Sequence, residues 1–283
     1  VRPAVEALRD GVVALLEGID IGAVRTWATP RRIAVVVDGV AAESERVEKW
    51  VTGPPAGSAF VDGQPTKVAF GFARSRGVDP SALEVVDGPK GKVVAARVIQ
   101  GGRRAAEAVA LGLDAVIRGI HFPKTMEWGN GGVRWARPIH RVNAVLGGVC
   151  VGGVAANCAV GDRTVGHRLA HNTEFSFDDE ASWLAGLRRR WVEPDLNARR
   201  AAVEAGVRRA LVEAGGDDIV DAALIEEVTH LVEWPVFVTG TFAASLLDLP
   251  PRLLVESMKK NQRYFPVYRK GELTERFIVV SNN

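Results

Sequence analysis

The sequence predicts an α+β protein, because helical and extended patterns mix along the chain without a regular strand–helix alternation. Three observations carry this. Two strand-like runs, Val24 to Ala28 and the almost purely β-branched Ile33 to Val37, flank the turn-like Thr29-Pro30-Arg31-Arg32. A long stretch, Asp178 to Glu233, is almost wholly helical in pattern. The last fifty residues return to extended runs.

In chain order, Val5, Leu8, Val12, Leu15 and Leu16 fall at helical spacing and predict a helix over 1–16, which Gly18 stops. The run Ile33 to Val37 is nearly all β-branched, which suits a strand covered on both faces. Gly53-Pro54-Pro55 is expected to break a third extended stretch. Thr66 can cap a short helix through Phe72 to Arg76. Leu83 to Val86 and Val93 to Ile99 read as strands around Gly88-Pro89-Lys90-Gly91. Arg103 to Ile120 reads as a helix, and Ile139 to Leu146 with Val149 to Ala155 as a hairpin across Gly147-Gly148. Within the helical stretch, Leu196, Val203, Val207, Ala210 and Leu211 form one apolar stripe, while Arg200, Glu204 and Arg208 lie four apart and can pair. Pro250-Pro251 starts a helix running to about Gln262, with Leu253, Leu254 and Met258 inward. Tyr264 to Tyr268 and Arg276 to Val280 close the chain as a hairpin around Lys270-Gly271. The division expected is 1–177 for the first part of an α+β core, 178–233 for a helical insertion and 234–283 for the closing helix and hairpin.

With 283 residues, 47% hydrophobic and 25% charged, the chain has an ordinary globular composition and ample length for a core. Its net charge of +2 excludes a nucleic-acid protein that binds by bulk charge and leaves room for a local basic patch. Two cysteines exclude a disulfide scaffold and suit a reducing cytoplasm. The most apolar stretch, Val149 to Val160, is too short to span a membrane and is broken by Gly152, Gly153 and Asn157. The start at Val1, without Met, and the stop after an apolar run are what a piece of a longer protein would show.

There is no phosphate-loop motif, no dinucleotide fingerprint and no G-x-S-x-G elbow. Ser257-Met258-Lys259-Lys260 has the look of a synthetase lysine loop, but no H-x-G-H accompanies it and it sits inside a helical pattern. Cys150, Cys158, His167 and His171 are the one cluster of metal-type side chains. The cysteines stand eight positions apart in strand-like runs, wider than zinc spacing, so they read as small core residues and no metal site is expected. Glu226-Glu227 and Asp178-Asp179 are adjacent pairs that suit helix ends.

Positive charge gathers with aromatics in three stretches. Lys124 to Trp128 continues to Arg134-Trp135-Ala136-Arg137, and interleaved Trp and Arg can stack bases and pair with phosphates; the same tryptophans also suit a core. Gly166-His167-Arg168 places a glycine before a basic pair, where close backbone approach is possible. Lys259-Lys260-Asn261-Gln262-Arg263-Tyr264 puts Lys259 and Arg263 on one helix face with Lys260 and Tyr264 beside them, an arrangement suited either to phosphate or to a helix C-terminus.

These stretches, in order, resemble the beta subunit of the bacterial two-subunit glycyl-tRNA synthetase. The carrying segments are 28–37, Gly53-Pro54-Pro55, Gly71 to Arg74, Phe122 to Gly129, Arg137-Pro138-Ile139, Gly166-His167-Arg168, Leu231 to Val236, Leu249 to Pro251, Met258 to Val267 and Arg276 to Asn282. Four positions depart from the family pattern: Glu127 in place of Arg, His140-Arg141 in place of Arg-Trp, Leu169-Ala170 in place of Phe-Leu, and Asn261 in place of His. Glu127 is better suited to a salt bridge than to phosphate. The resemblance implies an N-terminal region that lacks the first strand and stops before the HD-type, middle and anticodon-binding parts. It implies a mixed-sheet module like B3/B4 of the phenylalanyl enzyme.

The implied role is non-catalytic: tRNA binding and assembly of an alpha2beta2 heterotetramer that attaches glycine to its tRNA. The alpha subunit would use glycine and ATP with Mg, and this chain alone would hold no cofactor and no catalytic residue. Candidate tRNA contacts are Lys124, Arg137, His167, Arg168, Lys259, Lys260, Arg263 and Tyr264. Two rival readings are a deacylating editing module and a purely structural assembly domain. A site selecting glycine can exclude larger amino acids sterically, which weakens the need for editing.

Overall fold

The computed structural model describes residues 2–89, 91–128 and 131–282. Lys90 of the first glycine-rich turn and Gly129, which ends the Phe122 segment, lie outside the described residues. The fold is α+β, with helices and several small sheets that are almost entirely antiparallel.

The chain packs as two compact units. The smaller comprises Leu16–Ile21 and Gly39–Ala108. Its sheet has Gly91–Gln100 at the centre, with Val47–Pro55 and Leu83–Gly88 antiparallel on either side. Contrary to the expectation of a break, Gly53-Pro54-Pro55 stays in the first strand, and the register shifts between Thr52 and Pro55. Gly53 is required there because the Phe72 ring lies against it: a Cβ would come within 2.6 Å of two ring atoms. Phe72 belongs to the helix Lys67–Arg76, whose first turn Thr66 caps by accepting from Val68 N, as expected. Ala69 and Ala73 of this helix pack on Leu83, Val94 and Ala96 of the sheet.

The larger unit comprises Val1–Leu15, Gly22–Asp38 and Val109–Asn283. Its helix Arg2–Leu15 and hairpin Val24–Ala28/Ile33–Val37 match the sequence pattern, and every residue of the second strand is half-buried. The Gly147-Gly148 turn does form, with both glycines at positive φ. However, its strands are only Val145–Leu146 and Val149–Cys150. The hairpin foreseen over 139–155 is broken because Val142–Asn143 pairs in parallel with Cys158–Gly161, and Val154–Ala155 pairs with that same strand.

Helices Glu180–Arg188, Leu196–Glu213 and Ala222–Thr229 follow, with no strand among the described residues of 178–233. Asp179, Asp195 and Asp221 cap their N-termini. Val203, Val207, Ala210 and Leu211 meet Leu224, Ile225 and Val228, and share one core with Phe265, Val267 and Ile278 of the closing sheet. In that sheet Glu272–Ser281 lies between Val236–Thr241 and Phe265–Arg269. Gly206 lets helix 196–213 sit directly on Phe237, whose ring would be 2.0 Å from an added Cβ. The helix from Pro251 ends at Glu256 and widens into a π-helical turn over Ser257–Gln262. Leu253, expected inward, is 59% exposed, while Met258 is buried.

Candidate nucleic-acid interface

The closing turn carries the cations with the strongest sequence signal. All three are ion-paired: Lys259 Nζ with Asp221 Oδ2 at 2.8 Å, Lys260 Nζ with Glu256 Oε2 at 2.5 Å, and Arg263 Nε with Glu227 Oε1 at 2.6 Å. The lysine holds the Asp221 carboxyl below the usual carboxylate range, against the opposing effect of partial burial. Arg263 is left-handed (φ 60°), which ends the turn. Tyr264 stacks on Phe277 with ring centroids 4.6 Å apart, so one face of its ring is already covered. Of the adjacent acid pair, Glu227 holds Arg263 and Glu226 holds Arg200 and His230; neither serves as a cap.

The other candidates separate by burial. Lys124 is exposed, in a loop whose Trp128 packs against an apolar cluster of Leu113, Ile117, Val133 and Val160. Trp135 joins that cluster and meets Phe122 edge-on at 4.9 Å. Glu127 faces Arg134 at 4.0 Å, the salt-bridge role its substitution suggested. Cys158 also packs in this cluster, both cysteines are half-buried, and no group of three or more His, Cys, Asp or Glu gathers among the described residues.

His167 is only 1% exposed, which corrects its reading as a surface contact. Its Nδ1 accepts from Ala170 N at 3.2 Å, so the ring proton sits on Nε2 and is donated to Asn282 Oδ1 at 3.0 Å. The same oxygen accepts from the backbone N–H groups of Glu233 (2.6 Å) and Trp234 (3.3 Å). Gly166 is needed because a Cβ would meet Arg190 Cβ and His171 O, each at 2.3 Å.

Around this point a polar centre forms that sequence reasoning did not assign. Glu233 is fully buried. Its Oε1 accepts from Thr29 Oγ1 at 2.6 Å and forms an ion pair with Arg32 Nη1. Arg32 Nη2 donates to the carbonyls of Val165 (3.0 Å) and Gly166 (2.7 Å). Glu233 Oε2 has no hydrogen-bond partner among the described residues. Arg199, 1% exposed, donates to the carbonyls of Ala28, Glu193 and Thr229. Burial pushes its pKa down, against the pull of Glu233, Glu193 and Asp195. The signal was present in the sequence, because Thr29, Arg32, Gly166, Glu233 and Asn282 all fall in segments that carry the family resemblance. Their convergence depends on contacts between residues more than 100 positions apart.

Four separate family-like segments thus meet at one buried centre in the larger unit, and the comparison with known sequences agrees with that pattern. The profile described as "Glycyl-tRNA synthetase beta subunit" matches residues 1–283. The chain belongs to the glycyl-tRNA synthetase beta subunit family. Its relatives include the glycine–tRNA ligase beta subunit of Geotalea daltonii, 40% identical over 266 residues. That of Geobacter sp. (strain M21) is 39% identical over 266 residues, and that of Myxococcus xanthus 40% over 263. These alignments cover 93%, 93% and 92% of this chain but only 39%, 39% and 37% of the relatives, so the chain spans about two fifths of their length. No helix among the described residues is long and apolar enough to cross a membrane.

Proposed function

We propose that this region is a non-catalytic part of a glycine–tRNA ligase, working in the cytoplasm. It supports tRNA binding and assembly with an alpha subunit into an alpha2beta2 heterotetramer, while that subunit carries out the ATP- and Mg-dependent attachment of glycine. The observation that carries this reading is the family match along the whole chain. The mixed-sheet module is proposed to be B3/B4-like, with 178–233 as a helical insertion sharing its core.

Exposed Lys124, Arg137 and Arg168 are the more accessible contacts with tRNA. At Lys259, Lys260 and Arg263, an RNA phosphate has to compete with three carboxylates already in place. His167 contributes by fixing the backbone beside Arg168.

The test is to assay glycyl-tRNA formation with the full-length chain alone, with the alpha subunit alone and with both. Activity is expected only from the pair, together with a stable complex on size-exclusion chromatography. Glycyl-tRNA formed above background without the alpha subunit overturns the assignment.

A further inference from the structure

Three exposed arginines lie near one another beside the buried Glu233 centre. Arg31 lies in the turn between the strands Val24–Ala28 and Ile33–Val37, where its N–H donates to Thr29 Oγ1 at 3.1 Å. Its neighbour Arg32 is turned inward to Glu233 and to the carbonyls of Val165 and Gly166. That clamp fixes the Arg31 turn against the backbone that leads to Arg168. Arg168 itself follows buried His167. Arg137 lies between two anchors, Trp135 and Ile139, both packed on the same apolar cluster. Each exposed arginine therefore lies one or two positions from a buried or half-buried residue fixed by its own contacts.

The three are also unbalanced in charge. Arg31, Arg137 and Arg168 are exposed, and none has a carboxylate partner among the described residues, unlike Lys259, Lys260 and Arg263. Glu233, the acid whose charge acts on Arg31, is buried and ion-paired with Arg32. Their proximity registers on Arg31: desolvation pushes its pKa below the usual arginine value, Glu233 opposes this, and the charges of Arg168, Arg32 and Arg137 add smaller downward contributions. Like charges held together destabilise a fold through repulsion, and an anion between them relieves it. Guanidinium groups present paired donors that match phosphate oxygens, and pre-organised groups lose little entropy on binding.

We propose that Arg31, Arg137 and Arg168 form a single phosphate-binding site that grips the sugar–phosphate backbone of RNA. This rests on the tRNA-binding role proposed above, adds Arg31, joins it with Arg137 and Arg168 in one site and assigns the ligand chemistry. The contact is to backbone phosphates, so it is independent of base sequence.

The test uses the full-length chain in complex with its alpha subunit, and a glycine tRNA transcript as probe. Dissociation constants are measured across salt concentration for Arg31→Ala, Arg137→Ala, Arg168→Ala, the triple variant and the control Arg209→Ala, an exposed arginine on helix 196–213. Each single change is expected to weaken binding about tenfold, the scale of a lost charge-assisted hydrogen bond. The log–log salt slope should fall by about 0.7 to 0.9 per arginine. Arg209→Ala should change neither. Circular dichroism melts check folding, and arginine-to-lysine versions, which keep the charge, should restore most of the slope.

If the wild-type complex binds tRNA and the folded triple variant binds equally well with the same slope, the site is refuted and the broader function stands. If the wild-type complex fails to bind tRNA even at low salt, both fall. If the variants alter the KM for ATP and leave tRNA affinity unchanged, the phosphate belongs to a nucleotide and the RNA assignment is wrong.

Discussion

Replacing Arg32 with Ala in the full-length protein removes the one cation that, among the described residues, is paired with Glu233, a carboxylate with no solvent exposure. Glu233 Oε1 would keep the 2.6 Å bond from Thr29 Oγ1, while Oε2 already has no partner among the described residues. Breaking one side of a buried ion pair costs about 3–5 kcal/mol, because the charge left behind stays desolvated. Arg32 also satisfies the Val165 and Gly166 carbonyls, so the upper half of that range is expected. At about 2–4 °C per kcal/mol for a folding unit of about 150–250 residues, its Tm should fall by roughly 8–20 °C. Replacing Glu233 with Gln in the same background separates pair loss from packing loss. It removes the stranded charge, so the double variant should be less destabilised than the two single effects added, by about 1–3 kcal/mol. Urea melts of the four proteins supply the cycle. Additive losses, or an Arg32→Ala cost below about 1 kcal/mol, would show that Arg32 and Glu233 are not coupled.

Gly166→Ala forces a Cβ to within 2.3 Å of Arg190 Cβ and His171 O and should cost about 1–3 kcal/mol or more; a melt identical to wild type would contradict the packing. Asn282→Ala removes an acceptor for three donors and should destabilise by about 2–3 kcal/mol, with faster hydrogen exchange at the Glu233 and Trp234 amides; unchanged exchange there counts against it. Arg25 holds Glu180 and Asp38 below the usual carboxylate range through hydrogen bonds. Depressed carboxylates stabilise above the unfolded pKa and lose that contribution as pH falls through the folded value, so the stability gap between wild type and Arg25→Ala should be widest near pH 7 and close below about pH 4. A pH-independent gap refutes it. Asp221→Asn keeps a capping oxygen for helix Ala222–Thr229 but releases Lys259. tRNA affinity should rise and the salt slope steepen by about 0.7–0.9, and no change in either removes Lys259 from the RNA contacts.

The sequence by itself determined the features that short-range physics controls. Helical spacing located Arg2–Leu15, Ala105–Arg118 and Leu196–Glu213, and two extended runs around Thr29-Pro30-Arg31-Arg32 located the Val24–Ala28/Ile33–Val37 hairpin. Thr66 and Asp179 act as helix caps because their side chains reach amides only two or three residues ahead. The resemblance in ten segments identified the family, since motif order along the chain is itself local information.

Tertiary structure decided which charges are free. Lys259 and Arg263 looked like an open cationic strip, yet their carboxylates come from a helix 36 to 38 positions earlier in the chain. Arg32 looked like the equal of Arg31, but contact with Glu233, 201 positions away, makes one a half-buried clamp and leaves the other exposed. His167 and Arg168 diverge in the same way. A side chain's local pattern fixes the face it occupies, but whether that face meets a carboxylate, a carbonyl or water is set by packing between distant segments. The energy of an ion pair depends on that meeting and on the solvent it excludes.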